Sequence, residues 1–348
     1  MSRVRAWYKS HSFPLHVHGS TLRPIFGNLA ILALSTALAV GCSEIGLRYL
    51  YPHASLGSGV SWSWSHDTSS ILVSDSEIGF RPQLNTEVYD NHGILLVRSY
   101  KHAAVAGEQQ IILFIGDSVT ARSRIVDGID RQLGNVNVEF LNGGVESFNL
   151  TQEVSFFLKY QSGLRIDRII HQVHGNDLQA TPIAFRDETG ALNVYALNSP
   201  KQYVNQWLFQ NSYLYRLALA VLVAHRTEAS TADEARTDFD KMVGYARSHN
   251  IRYDVVLFPI LSPQSDLSPQ ERRDWNILET SCNEIVSHCV SLLPVLSEML
   301  AQGQSGREAV GDNWHPNQAF ADIAATLIIQ SLGLSNLTTL QPSRGTPK

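Results

Sequence analysis

Apolar runs that stop at small or polar residues punctuate the chain from about residue 110 onward. Residues 110–120 read QIILFIGDSVT: the run Ile111 to Ile115 ends at Gly116, and Asp117 and Ser118 follow at once. A continuous apolar run bounded by glycine predicts a strand buried on both faces of a parallel sheet. Residues 136–141 form a second run, ending in Asn142-Gly143-Gly144, and residues 168–173 a third, ending in His174-Gly175-Asn176-Asp177. A fourth strand is predicted over 253–260 and a weaker fifth over 290–293. Val154, Phe157 and Leu158 carry helical spacing and predict a helix over 150–164. Further helices are predicted over 235–248, 269–286 and about 317–332, the last with Pro316 near its first turn. Strands alternating with helices imply an α/β fold, a mainly parallel five-stranded sheet covered on both faces with right-handed crossovers.

The pattern before residue 110 is different. Residues 1–24 carry Arg3, Arg5, Lys9 and Arg23 and no acid, and residues 25–41 are apolar apart from Asn28, Ser35 and Thr36. A basic flank followed by an apolar run predicts membrane targeting, here a segment over 25–43 with the tail 1–24 in the cytoplasm and the rest outside it. Three fates are compatible with the run: an uncleaved signal anchor, cleavage after Ala37-Leu38-Ala39, or lipid attachment at Cys42. His11, His16 and His18 have no acidic or cysteine companion and read as a solvated tail rather than a metal site. Residues 44–108, rich in serine, glycine and tryptophan, lack sustained periodicity and read as a lead-in segment lying over the next domain, with turns at Gly79-Phe80-Arg81-Pro82 and Asn91-His92-Gly93. The tail 336–348 follows the last helix.

Composition narrows the classes. With 348 residues the chain has room for one large domain plus appendages, and its net charge of −5 gives no basic footprint for nucleic acid. Three cysteines, Cys42, Cys282 and Cys289, are too few for a disulfide scaffold. Cys282 and Cys289 could pair in an oxidising compartment, but a straight helix through both would set them roughly 10 Å apart, so two buried thiols fit at least as well.

In a parallel sheet the strand ends bearing Ser118, Gly144 and Asn176 face one crevice, and a loop carrying Asp312 and His315 enters the last helix within reach of the same rim. These are the residue types that acyl transfer needs: a nucleophile, Ser118; a base, His315; an acid that orients the base, Asp312. Donors for the developing oxyanion would be the backbone N–H groups of Ser118 and Gly144 and the side-chain amide of Asn176. No metal or other cofactor is called for. Taken singly each residue has a plainer role, a turn glycine, a loop cap or a helix-entry pair in which Asp312 caps the first turn.

Order and context together resemble the SGNH hydrolases, also called the GDSL esterase and lipase family. Gly116-Asp117-Ser118-Val119 matches that family's first block with valine for the usual leucine, and Asn142-Gly143-Gly144-Val145 matches the second. Gly175-Asn176-Asp177 matches the third, and Asp312-Asn313-Trp314-His315-Pro316 the last. The apolar segment, Glu44-Ile45-Gly46-Leu47-Arg48 and Ile78-Gly79-Phe80-Arg81-Pro82 further resemble its membrane-anchored bacterial branch. The resemblance implies a flavodoxin-like α/β/α domain over 109–335, the roles given above for Ser118, Gly144, Asn176, Asp312 and His315, and ester substrates, with O-acetylated glycans as a sensible guess. It also implies a bacterial inner-membrane protein whose catalytic domain lies on the periplasmic side. An acyltransferase would use the same serine, and a tethered glycan-binding or assembly factor could retain the scaffold without the chemistry. His174 stands where many members of the family have glycine, and Ser147 where a second glycine of block two is common. The G-x-S-x-G elbow of the α/β-hydrolases is not met, because Thr120 occupies its last glycine position.

Residues 178–232 form the longest insertion and carry Phe185, Tyr195, Tyr203, Trp207, Phe209, Tyr213 and Tyr215. They read either as a lid on which a sugar or acyl chain stacks or as core aromatics of an amphipathic helix over 207–223.

Overall fold

The computed structural model describes residues 22–50, 61–64, 71–101, 109–134, 137–186, 190–195, 204–222 and 228–335. Arg3, Arg5, Lys9, the three tail histidines, Val136, Tyr203, Val223 and the tail 336–348 lie outside them. In chain order the first half contains α1 (Leu22–Leu50), β1 (Ser61–Trp64), β2 (Leu72–Asp75), β3 (Gly79–Pro82), β4 (Tyr100–Lys101), β5 (Gln110–Gly116), α2 (Ser118–Ala121), α3 (Arg124–Leu133), β6 (Val138–Asn142), α4 (Leu150–Phe156) and β7 (Arg168–His174). The second half contains β8 (Ile183–Arg186), β9 (Leu192–Tyr195), α5 (Gln206–Asn211), α6 (Tyr213–Leu222), α7 (Glu228–Ser248), β10 (Arg252–Phe258), α8 (Pro269–Ile285), β11 (Cys289–Ser291), α9 (Leu293–Ala301) and α10 (Gln318–Leu332).

The main sheet has the order β11-β10-β7-β5-β6-β4. Its first five strands are parallel, and the two-residue β4 adds an antiparallel edge to β6. The five predicted strands are all present, in the 2-1-3-4-5 order of a flavodoxin-like sheet. Alternation along β5 divides the core: Ile112 and Phe114 pack with α3, α9 and α10 on one face, Leu113 and Ile115 with α4, α7 and α8 on the other. The crossover through α3 and the crossover through α4 therefore lie on opposite faces. Between β5 and β7 the connections diverge, which opens a crevice at the carboxyl ends of those two strands.

Several expectations need correction. The turn expected at Gly79-Phe80-Arg81-Pro82 is strand β3, and the chain turns just before it, where Asp75 Oδ1 accepts from the N–H groups of Glu77 and Ile78 at 2.8 and 2.9 Å. The helix after residue 150 is α-helical only to Phe156 and widens into a π turn over Phe157–Gln161. α10 begins at Gln318 and is capped by Asn317, whose Oδ1 accepts from the Phe320 N–H at 2.9 Å, so Pro316 precedes the cap. The helix expected over 207–223 is two helices, α5 and α6, broken at the extended Ser212.

Cys282 and Cys289 form a disulfide with Cα atoms 6.0 Å apart. The single-helix premise fails because α8 stops at Ile285 and Val286 is extended (φ −96°, ψ 130°), which brings Cys289 back alongside on β11.

The lead-in segment is built into the domain. Leu72, Ile78 and Phe80 pack with Val145, Phe148 and Phe156, and β1 pairs with β9 of the insertion in a three-stranded sheet with β8. Within the insertion the aromatics mostly point inward: the buried Arg216 lies 4.8 to 5.5 Å from the ring centroids of Phe185, Tyr195, Phe209 and Tyr213. Among the described aromatics of the insertion, Trp207 is the exposed one.

Candidate active site

β5 delivers Ser118 through a bend that only glycine can make. Gly116 has φ +154°, and a Cβ there would meet Thr120 Oγ1 at 2.3 Å and the Gln172 carbonyl oxygen at 2.5 Å. Asp117 caps α2, accepting from the Val119 N–H at 2.8 Å, and Ser118 is the first residue of that short helix. Burial pushes the Asp117 carboxyl up to about 6 despite the Val119 hydrogen bond and the nearby His315.

His315 and Asp312 come from the loop between α9 and α10. Its backbone is pinned at several points: Glu308 N–H to His315 O at 2.9 Å, Leu261 N–H to Asn313 O at 2.8 Å, and Asn317 N–H to Gly306 O at 2.8 Å. Arg307 donates to Leu261 O at 2.6 Å, while Glu308 pairs with Arg122 at the end of α2 and Arg124 at the start of α3. These ties set His315 Nε2 3.0 Å from Ser118 Oγ and His315 Nδ1 2.8 Å from Asp312 Oδ2. Asp312 Oδ1 also accepts from the N–H groups of Trp314 and His315 at 3.0 and 3.1 Å. Burial pushes the Asp312 carboxyl up, but the His315 ring and those two backbone donors outweigh it, so its pKa lies below the usual value.

The expected oxyanion donors follow the carboxyl ends of three adjacent strands, β6, β5 and β7, with one difference. Gly144 sits against α2, where a Cβ would meet Ala121 N at 2.5 Å, so no larger residue fits without displacing that helix. Its N–H donates to Asn142 Oδ1 at 2.9 Å, an Asx turn, and is therefore already engaged. Asn176 is half-buried at the end of β7, its Oδ1 lying 2.5 Å from His174 Nδ1.

Asn142 is the residue whose part the sequence reading left out. Fully buried, it also donates from Nδ2 to Thr120 O at 2.8 Å and to Ser123 Oγ at 2.6 Å, stapling the β6 end to the helix that bears Ser118. Its signal was an asparagine directly before two glycines at a strand end. Ser147, in the glycine-favouring region with φ +62°, accepts the strain of the position where glycine is common.

Behind the crevice lies a group of buried acids. Burial, then neighbouring carboxylates, push Glu153 and Asp177 well above their ordinary values. Glu153 Oε2 lies 2.8 Å from His171 Nε2, and His171 Nδ1 lies 2.9 Å from the Tyr253 hydroxyl. Burial lowers the His171 imidazole to about 3, so it is neutral at neutral pH.

Among solved structures the fold is similar to an α/β hydrolase from the metagenome of Lake Arreo, Spain, at 14% identity over 67% of this chain and 98% of that one, with a TM-score of 0.43. It is also similar to a lipolytic protein of the G-D-S-L family from Veillonella parvula, at 14% identity over 64% and 97% of the two chains (TM-score 0.38). A third similar structure is the acetylxylan esterase Axe2 from Geobacillus stearothermophilus, at 15% identity over 65% and 95% (TM-score 0.40). No protein-family model and no curated protein matches the sequence.

Proposed function

We propose that this chain is a serine esterase that cleaves O-acyl esters, foremost O-acetyl esters, of an extracytoplasmic glycan or lipid. The observation that carries the reading is the unbroken line from Ser118 Oγ through the His315 ring to Asp312, with contacts of 3.0 and 2.8 Å. Ser118 Oγ attacks the ester carbonyl while His315 Nε2 takes its proton, and the alkoxide leaves as His315 returns that proton to it. Water then attacks the acyl-serine with the same base, releasing the acid and restoring Ser118. Asp312, accepting from His315 Nδ1–H, holds the tautomer in which Nε2 carries a lone pair and stabilises the imidazolium that forms. The Ser118 N–H and the Asn176 amide are the donors for the oxyanion, each worth on the order of 10²- to 10³-fold in rate, and Gly144 would have to share its N–H with Asn142.

Two features favour placement outside the cytoplasm. The helix over Phe26–Leu50, whose apolar part precedes Glu44, is long enough to cross a bilayer and lies unburied near the amino terminus. The Cys282–Cys289 disulfide suits an oxidising compartment.

The deciding experiment incubates the purified protein with an O-acetylated oligosaccharide and an unacetylated acceptor. Free acetate from the wild type, none from Ser118→Ala and a severe slowing by Asn176→Ala are expected. Acetyl transferred to the acceptor would redirect the reading to an acyltransferase using the same serine. Normal turnover by Ser118→Ala, or failure of the wild-type Ser118 to react with a fluorophosphonate, would overturn the serine mechanism.

A further inference from the structure

Asn176 can serve an oxyanion only if its NH2 group, not its carbonyl oxygen, faces the reacting atoms. The torsion that exchanges these two ends is soft. Something must therefore hold the amide. The group in contact with it is His174, two residues earlier on the end of β7, whose Nδ1 lies 2.5 Å from Asn176 Oδ1. We propose that His174 is a positioning residue for the esterase reaction, donating from Nδ1–H to Asn176 Oδ1 and so turning the Asn176 NH2 toward the oxyanion.

The proposal rests on the esterase reading above and on three further features of the ring. An amide oxygen only accepts, so a hydrogen bond between it and Nδ1 needs the proton on Nδ1. The opposite tautomer would set two acceptors against each other and leave a buried N–H at Nε2, an atom with no hydrogen-bond partner. With the proton on Nδ1, that nitrogen has no lone pair for the Asn176 N–H 3.2 Å away, so the shorter side-chain contact is the hydrogen bond and the backbone approach is a contact only. Packing fixes the ring plane: it stacks on Phe258 with centroids 5.4 Å apart and meets Trp314 edge-on at 5.5 Å. Trp314 stands between Asp312 and His315 in the catalytic loop, so one buried ring braces both the oxyanion donor and the segment that carries the base. Finally, burial lowers the imidazole to about 4, which leaves it neutral with a single N–H at the pH where an esterase of this kind would work.

The test is a set of variants assayed on a simple acetate ester, with active sites counted by fluorophosphonate titration so that kcat refers to folded molecules. His174→Phe keeps the stacking but has no donor; it should lower kcat about 10- to 100-fold while KM changes less than twofold. His174→Gln, which can donate from its amide, should recover part of that loss. In the Asn176→Ala background, His174→Phe should have no further effect, because the group it positions is gone. A purely structural role would instead give independent, multiplicative losses. Wild-type kcat in His174→Phe, or multiplicative losses in the double variant, would overturn the proposal. Failure of the esterase reading is distinct, since it shows as turnover surviving in Ser118→Ala, whereas failure of this inference leaves Ser118→Ala inactive and Asn176→Ala slow, with His174→Phe either normal or multiplicative with Asn176→Ala.

Discussion

Gly144→Ala is the substitution that most directly tests how the site is held. A Cβ at this position would meet Ala121 N at 2.5 Å, Thr120 Cβ at 2.8 Å and Thr120 C at 2.9 Å. All three belong to α2, so no flexible side-chain end can move aside. Ordinary contact begins at 3.4 Å, so the backbones must separate by about 0.9 Å (3.4 − 2.5) at the tightest point. α2 cannot yield freely, because Asn142 Nδ2 holds Thr120 O at 2.8 Å and Thr120 Oγ1 donates to Gln172 Oε1 at 2.9 Å. The displacement is passed along the short helix to Ser118, whose Oγ is 3.0 Å from His315 Nε2. Half of it suffices to stretch that contact to the limit of a hydrogen bond. A misplacement near 1 Å costs about 10²-fold in rate, and overpacking costs about 1–3 kcal/mol in stability. The N–H of residue 144 survives in Gly144→Ala, so the loss reports geometry rather than a missing donor. Gly143→Ala is the control: the three atoms nearest its Cβ all belong to the Gln161 side-chain end, at 2.6 to 3.1 Å, so it should cost stability while kcat stays within a few fold. Hydrolysis of p-nitrophenyl acetate together with thermal unfolding reads both variants. Wild-type kcat and Tm in Gly144→Ala would refute the reasoning.

Asp312→Asn leaves the loop nearly isosteric but cannot hold His315 in the productive tautomer, and kcat should fall on the order of 10³- to 10⁴-fold with Tm nearly unchanged, as steady-state kinetics and calorimetry would show. The Cys282–Cys289 bridge closes a loop of sequence separation 7, for which chain entropy gives roughly 2.5 kcal/mol, so reduction should lower Tm by roughly 5–10 °C while activity below the transition persists. The His174 imidazole, lowered from 6.5 to about 4, binds a proton in the unfolded chain before it does in the folded one. Its contribution to stability is therefore complete above pH 6.5 and is lost as pH falls toward 4, up to about 3 kcal/mol. Urea titrations at pH 7 and pH 4 should show His174→Phe losing less stability on acidification than the wild type by an amount of that order; equal losses would count against a neutral buried ring.

The strand ends were legible because a strand buried on both faces is mostly apolar, and a small or polar functional end then breaks the pattern, although β7 also buries Arg168, His171 and Gln172 within its run. Gly116, Gly144 and Asn176 stand out for that reason. α3 is hard to read from the sequence although Ile125, Val126 and Ile129 form a helical stripe, since its charged residues Arg124, Asp127, Asp130 and Arg131 dilute the run. Long-range pairing left no local trace: β1 joins β9 across more than a hundred intervening residues, and neither short strand shows a periodicity that names the other. The Cys282–Cys289 bridge turned on where one helix ends, and its boundary at Val286 is set by packing rather than by a glycine or proline. The Gly144 N–H illustrates a further limit. Residue type and position were right for a donor, but its occupation by Asn142 Oδ1 depends on a side-chain rotamer that no spacing rule encodes.

The apolar helix and the catalytic domain also turn out to be one mechanical unit. α1 does not stop at residue 43, where the apolar pattern ends, but continues to Leu50. Glu44 accepts from Ser212 Oγ at 3.0 Å, Tyr213 N–H at 2.9 Å and Leu214 N–H at 3.0 Å, so a side chain of α1 caps the amino terminus of α6. One turn later Arg48 lies over the Tyr213 ring at 5.6 Å and donates to the carbonyl of Asn211. Charged groups bonded in this way belong to the protein rather than to hydrocarbon, so with α1 as an anchor the bilayer would take the segment before Glu44. Residues 25–43, rising 1.5 Å each, span roughly 28 Å, close to the hydrocarbon thickness of about 30 Å. The helix would then leave that layer without a break, and it is clamped to the domain within its last two turns. The insertion thus meets α1 through the α5–α6 junction, while the inner face of the same insertion, around Arg216, is packed on β8 and β9. A flexible tether would let the crevice face any direction, whereas a capped, continuous helix would fix its height and orientation relative to the membrane.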